Sequence, residues 1–167
     1  MQTWPLPDFE GKICPPEMLS AKIAALPRPL VFTNGCFDIL HRGHVTYLAQ
    51  ARAVGAAMVL ALNTDESVRR LGKGDDRPIN TLADRAAVAA ALSSVDLVTW
   101  FDQDTPFELI ELVRPDILIK GGDWPVEKIV GAQETLARGG KVFSIPFLHQ
   151  TSTTKTLEKI RAAEGDK

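Results

Sequence analysis

Leu30-Val31-Phe32-Thr33-Asn34-Gly35-Cys36-Phe37-Asp38-Ile39-Leu40-His41-Arg42-Gly43-His44 is the stretch that decides the fold. It opens on a short apolar run, 30–33, and passes through a glycine-containing turn. A helix-like segment at 45–54 follows, with Gly55 suited to its end. The apolar run lacks polar alternation, as expected of a parallel strand buried on both faces. The pattern then repeats. Apolar runs recur at 58–62, 95–101, 116–119 and 141–145. Helix candidates lie between them at 65–71, 82–92, 106–113 and 129–138, and a last one at 156–163. Strand alternating with helix predicts an α/β fold: a Rossmann-like, doubly wound, five-stranded parallel sheet with right-handed crossovers. Ligands in such sheets bind beyond the carboxyl ends of the strands, near the switch in strand order. The polar motifs of this chain fall just after predicted strands.

Residues 1–16 carry four prolines and read as an irregular arm. A helix is expected at 17–26, ended by Pro27 and Pro29. The chain therefore divides into an N-terminal arm and helix at 1–29 and an α/β domain at 30–167. Its 167 residues, 45% hydrophobic and 24% charged, suffice for one core. The net charge of −2 provides no global positive field, so nucleic acid is not expected as a partner, and an anionic substrate needs cations gathered locally. Cys14 and Cys36 have neither zinc spacing nor a disulfide framework, which fits a reducing cytoplasm. No signal peptide or membrane span is read from the sequence.

Three segments carry chemistry. In the first, Gly35 and Gly43 remove side chains where a phosphate can approach, and His41 and His44 stand one helical turn apart. The helix N-terminus adds a positive dipole end. A His-x-x-His pair by itself also suits a tight structural turn or a partial metal site. The second segment, Ile119-Lys120-Gly121-Gly122-Asp123-Trp124, offers a point charge on Lys120. Gly121-Gly122 is expected to let a base or phosphate lie against the backbone, with Asp123 on a ribose hydroxyl or holding the loop. The third, Thr151-Ser152-Thr153-Thr154-Lys155, is expected to precede the last helix, as ordinary caps or as an anion site.

Together, in this order after strands one, four and five, these segments resemble the cytidylyltransferase-like nucleotidyltransferases, with their His-x-Gly-His signature, the Gly-x-Phe-Asp before it and the late Ser-Thr-Thr. The likeness narrows through Gly74-Asp75-Asp76-Arg77-Pro78-Ile79-Asn80, Asp104-Thr105-Pro106 and Pro115-Asp116-Ile117-Leu118-Ile119-Lys120-Gly121-Gly122-Asp123. Over about 30–160 the chain is similar to the adenylyltransferase half of the bifunctional heptose-phosphate kinase/adenylyltransferases, and so looks like a stand-alone form. Arg42 fills the variable position of the first motif, and Trp124 stands where tyrosine is usual.

The resemblance implies ATP and D-glycero-β-D-manno-heptose 1-phosphate as substrates, and ADP-heptose for the lipopolysaccharide core as product. It implies His41, His44 and Lys120 as catalytic residues. Thr33, Asn34, Gly35, Cys36, Phe37, Gly43, Gly121, Gly122, Asp123, Ser152, Thr153 and Thr154 are expected around ATP. Mg²⁺ is expected on the triphosphate, without a dedicated protein metal site. For the acceptor, the basic loop with Lys73 and Arg77 is a candidate lid, against the plainer reading of an exposed loop. Asn63, Asp65 and Arg85 join it as substrate-binding candidates, Arg85 as a phosphate contact. Asp38 is a further substrate-binding candidate and a candidate for positioning the metal. Arg69-Arg70 read as a solvated helix face. The expected partners are small molecules, with no membrane and a second copy in a homodimer. Two alternatives stay open: a cytidylyltransferase acting on glycerol or ethanolamine phosphate, and a nucleotide-binding regulator without turnover.

Overall fold

A computed structural model describes residues 4–72, 74, 76–149 and 151–165. Five strands form one parallel sheet: β1 Leu30–Gly35, β2 Ala57–Asn63, β3 Leu97–Phe101, β4 Ile117–Gly121 and β5 Lys141–Ile145. Their order is β3-β2-β1-β4-β5. The chain builds outward from β1 through β2 to β3, then returns to the other side of β1 for β4 and β5. The reversal opens a crevice beyond the carboxyl ends of β1 and β4. β1 pairs with β2 from Leu30↔Ala57 as far as Gly35↔Leu62, so it runs two residues further than its apolar run suggests.

Strand side chains alternate between two cores, as period two requires. Leu30, Phe32, Val59 and Ala61 face one side, with Leu19 and Ile23 of α1 (Leu19–Ala24) and Leu109 and Ile110 of α5 (Phe107–Val113). Val31, Met58, Leu60 and Leu62 face the other, with Tyr47 and Leu48 of α2 (Arg42–Arg52). Ala86, Ala89 and Ala90 of α4 (Leu82–Ala90) complete that side. The alanines bring α4 close to the sheet. α3 (Asp65–Arg70) follows β2.

Three local differences from the sequence reading have physical causes. α6 (Ala132–Ala137) starts three residues later than expected, because Val126–Lys128 forms a 3-10 turn and Gly131 enters the left-handed region at φ 80°. α7 (Thr153–Gly165) starts three residues earlier, because the Ser152 hydroxyl accepts from the Lys155 amide and caps it. The proline-rich segment is not a loose arm throughout. Asp8–Lys12 and Pro16–Met18 form 3-10 turns, and the Cys14 amide donates to Val98 O beside the Ile13↔Val98 bridge. Cys14, Leu19 and Ile23 are buried in the same core as Leu30 and Phe32. Among the described residues, no helix is long and apolar enough to cross a membrane.

Candidate active site

The crevice holds a cavity of about 540 Å³. Its floor is the loop after β1. Phe37 adopts a left-handed φ of 45°, and a Cβ on Gly35 would fall 2.8 Å from the Phe37 ring. Gly35 therefore lets that ring fold back on the strand end. His41 caps α2, with Nδ1 accepting from the His44 amide at 3.4 Å and lying 3.1 Å from Thr151 Oγ1. An accepting Nδ1 requires the neutral imidazole with its proton on Nε2. Burial also pulls the His41 pKa below its ordinary value, which favours the same form. The His41 and His44 rings stack at 3.8 Å between centroids. Gly43 lies behind this pair: a Cβ there would meet the His41 ring at 3.1 Å and His149 O at 3.2 Å.

Lys120, at the end of β4, lines the cavity together with Asn34, Cys36 and Thr151 to Thr154. Lys120 and Asn34 also line a neighbouring hollow of about 160 Å³, with Lys128 on its wall. The histidines, the lysine and the hydroxyl segment expected from the sequence thus meet in one place. Within the hydroxyl segment, Ser152 caps α7 and Thr153 Oγ1 lies 3.5 Å from Ile39 O.

Several expected contacts fall elsewhere. Gly121 lines the cavity whereas Gly122 does not, and aromatic rings flank the turn. A Cβ on Gly121 would lie 2.8 Å from Phe147, and one on Gly122 2.8 Å from Trp124 Nε1. Trp124 Nε1 donates to Gly121 O, and exposed Asp123 does not line the cavity. Thr33 is buried beneath the site, 2.5 Å from the Tyr47 hydroxyl. Tyr47, Phe147 and Trp124 line the cavity; the sequence marked Trp124 only as a departure from tyrosine, and Tyr47 and Phe147 went unnoticed. The signal available was one aromatic in α2 and one after each of β4 and β5.

On the acceptor side the structure separates the candidates. Arg77 lines the cavity. Lys73 lies outside the described residues. Arg85 is a correction: its side chain is fully buried and makes four hydrogen bonds to protein oxygens. Nε donates to Asn80 O, Nη1 to Cys36 O, and Nη2 to Asn63 O and Asp65 Oδ1. It braces the loop after β1 from below instead of facing a phosphate. Asp65 is its ion partner, and Asn63 is buried with Nδ2 donating to Ser67 Oγ. Neither lines the cavity. Asp38 does, but both its carboxylate oxygens accept from protein donors, so it is not placed to hold a metal ion. Burial pushes its pKa up, yet the amides of Asn80 and Ile79 and the Arg77 guanidinium outweigh this and hold it below the usual carboxylate value.

A crevice of about 540 Å³, with paired histidines at one helix start and hydroxyls at another, is the arrangement expected of a nucleotidyltransferase. The family described as cytidylyltransferase-like matches residues 32–161, and the chain belongs to it. It is 57% identical over 155 residues to the D-beta-D-heptose 1-phosphate adenylyltransferase of Bordetella bronchiseptica, covering 92% of this chain and 96% of that one. It is 50% identical over 151 residues to the bifunctional protein HldE of a Marinomonas species, covering 89% of this chain but 32% of that longer protein. Among solved structures, the lipopolysaccharide core biosynthesis protein from Thermoplasma volcanium superposes with a TM-score of 0.58 at 27% identity, over 73% of this chain and 98% of that one. A pantoate-beta-alanine ligase from Francisella tularensis shares the fold alone: TM-score 0.57, 13% identity, 83% of this chain and 67% of that one.

Proposed function

We propose that this nucleotidyltransferase transfers the adenylyl group of ATP to D-glycero-β-D-manno-heptose 1-phosphate, giving ADP-heptose and pyrophosphate for the lipopolysaccharide core. One observation carries the chemistry: His41, His44, Lys120 and the start of α7 converge on one cavity at the β1/β4 crevice. The Bordetella relative's name supports the choice of substrates. A phosphate oxygen of the acceptor attacks the α-phosphorus. The bond from that phosphorus to the bridging oxygen breaks, and pyrophosphate leaves with the electron pair. The attacking oxygen is already ionised near neutral pH, so no strong general base is needed. Catalysis is then alignment plus stabilisation of charge on the reacting phosphates.

In this mechanism His41 and His44 donate to the triphosphate, Lys120 meets charge developing at the α-phosphate, and Ser152 to Thr154 with the α7 amides hold the β- and γ-phosphates. Asn34, Gly35, Cys36 and Phe37 form the floor under the nucleotide. Arg77, with Lys73, receives the acceptor phosphate. Tyr47, Phe147 and Trp124 supply an apolar wall for the base. A Mg²⁺ ion bound with ATP would be held mainly by phosphates and water and would neutralise part of the triphosphate charge. A homodimer is also proposed. The strongly exposed Trp4 and Leu6 of the N-terminal segment support it, and sedimentation at micromolar concentration reads it.

Product analysis tests the acceptor. Incubation of ATP with heptose 1-phosphate, glycerol 3-phosphate or ethanolamine phosphate should yield a nucleoside diphosphate sugar, identified by mass, from the heptose alone. A nucleotide product from glycerol or ethanolamine phosphate in preference to heptose contradicts the assignment.

A further inference from the structure

We infer that Asp38 is a positioning residue whose carboxylate fixes the Arg77 guanidinium at the cavity wall, where it meets the acceptor phosphate. The inference rests on the proposed reading of this cavity as the site of nucleotidyl transfer.

The Asp38 side chain is completely buried. An isolated carboxylate there would be strongly disfavoured, and a buried charge persists only when paired and hydrogen-bonded. Asp38 meets both conditions. Oδ2 accepts from Arg77 Nε at 2.6 Å, and the Ile79 and Asn80 amides donate to the carboxylate at 2.9 Å. The Asn80 side chain donates to Asp38 O at 2.6 Å. One residue of the loop after β1 thus holds the whole 77–80 turn, which follows β2 and α3 in the chain.

That placement has an electrostatic use. Two phosphorylated substrates must meet in a protein of net charge −2. Among the described residues lining the main cavity, Arg77 and Lys120 are its lysine and arginine side chains. Lys120 comes from β4, on one side of β1, and Arg77 from the segment after β2, on the other. Because Nε is held by Asp38, the planar guanidinium is oriented before substrate arrives, and less side-chain entropy is lost on binding. The alternative roles for Asp38 fit poorly. Its oxygens are engaged by donors, and its depressed pKa makes it a weak base.

The test is a double-mutant cycle read by steady-state kinetics with ATP and heptose 1-phosphate. Asp38→Asn leaves a carbonyl oxygen for the Ile79 and Asn80 amides, but its Nδ2 opposes the Arg77 Nε–H and releases the guanidinium. The acceptor KM should rise about tenfold or more while the ATP KM stays within threefold. Arg77→Met should do the same, and the double variant should be no worse than Arg77→Met alone. A normal acceptor KM in Asp38→Asn beside a raised one in Arg77→Met overturns the positioning role, and so do effects that multiply in the double variant. A normal acceptor KM in Arg77→Met removes Arg77 from the acceptor and the inference with it. A wild-type chain inactive with this acceptor overturns the proposed function itself. If Asp38→Asn does not fold, Arg77→Lys reads the same geometry. The lysine ammonium lacks the planar fork through which Arg77 is fixed by Asp38 at Nε while its other nitrogens face the phosphate, so the acceptor KM should rise at least fivefold, and an unchanged value overturns the inference.

Discussion

His44 and Arg85 show what a residue's identity reveals and what it hides. The pair at His41 and His44 was legible because spacing within one helical turn fixes which side chains can meet. Their stacked rings in the cavity follow from that. His44→Ala should lower kcat by about two to three orders of magnitude, the usual effect of deleting one preorganised donor to transition-state charge. The unfolding midpoint should change little. Turnover within threefold of wild type takes His44 out of the mechanism. Arg85 was legible as a functional arginine but not as a brace, because its guanidinium direction depends on carbonyls contributed by three separate segments. Arg85→Met leaves those oxygens and Asp65 without their partner. Urea denaturation should show a loss of about 2–4 kcal/mol, discounted for the partly exposed Asp65. A variant as stable as wild type would show that the brace carries no weight.

At the element scale, the start of α2 couples a helix cap to titration. His41 accepts from the His44 amide through Nδ1, and protonation at that nitrogen ends the bond. Its pKa is depressed in the folded protein relative to 6.5. The unfolded chain therefore binds the proton first as pH falls. The stability tied to neutral His41 is intact above about 6.5 and is lost as pH drops through that value towards the lower folded pKa. His41→Asn retains a capping acceptor but cannot titrate. Between pH 7.5 and about 5, the melting temperature of wild type should fall more steeply than that of His41→Asn. Parallel curves contradict the cap assignment. The sequence showed that hydroxyls precede the last helix, but not that Ser152 is its cap. That choice follows from where the chain leaves β5 and returns over Ile39, a tertiary constraint absent from local propensity.

At the scale of the whole molecule, five apolar runs separated by helical stretches made the parallel sheet legible, since strands buried on both faces need little else to declare themselves. The order β3-β2-β1-β4-β5 was not legible from those runs, because every strand looks equally buried. The packing of residues 8–24 into the core was missed for a different reason. Pro7, Pro15 and Pro16 suppress helical periodicity, and a single bridge at Ile13 leaves no pattern in sequence. The cavity's aromatic wall was missed because Tyr47, Phe147 and Trp124 come together only through the sheet. Stacking on such a wall is open to any base, so the donor is where the account is most exposed. Pyrophosphate release should be measured as kcat/KM for ATP, GTP, CTP and UTP, each with heptose 1-phosphate and with glycerol 3-phosphate. The account predicts ATP with heptose 1-phosphate as the best pair, ahead of GTP by at least about tenfold, or 1.4 kcal/mol of differential transition-state binding. CTP with glycerol 3-phosphate as the best pair, or ATP binding without pyrophosphate release from any pair, would contradict it.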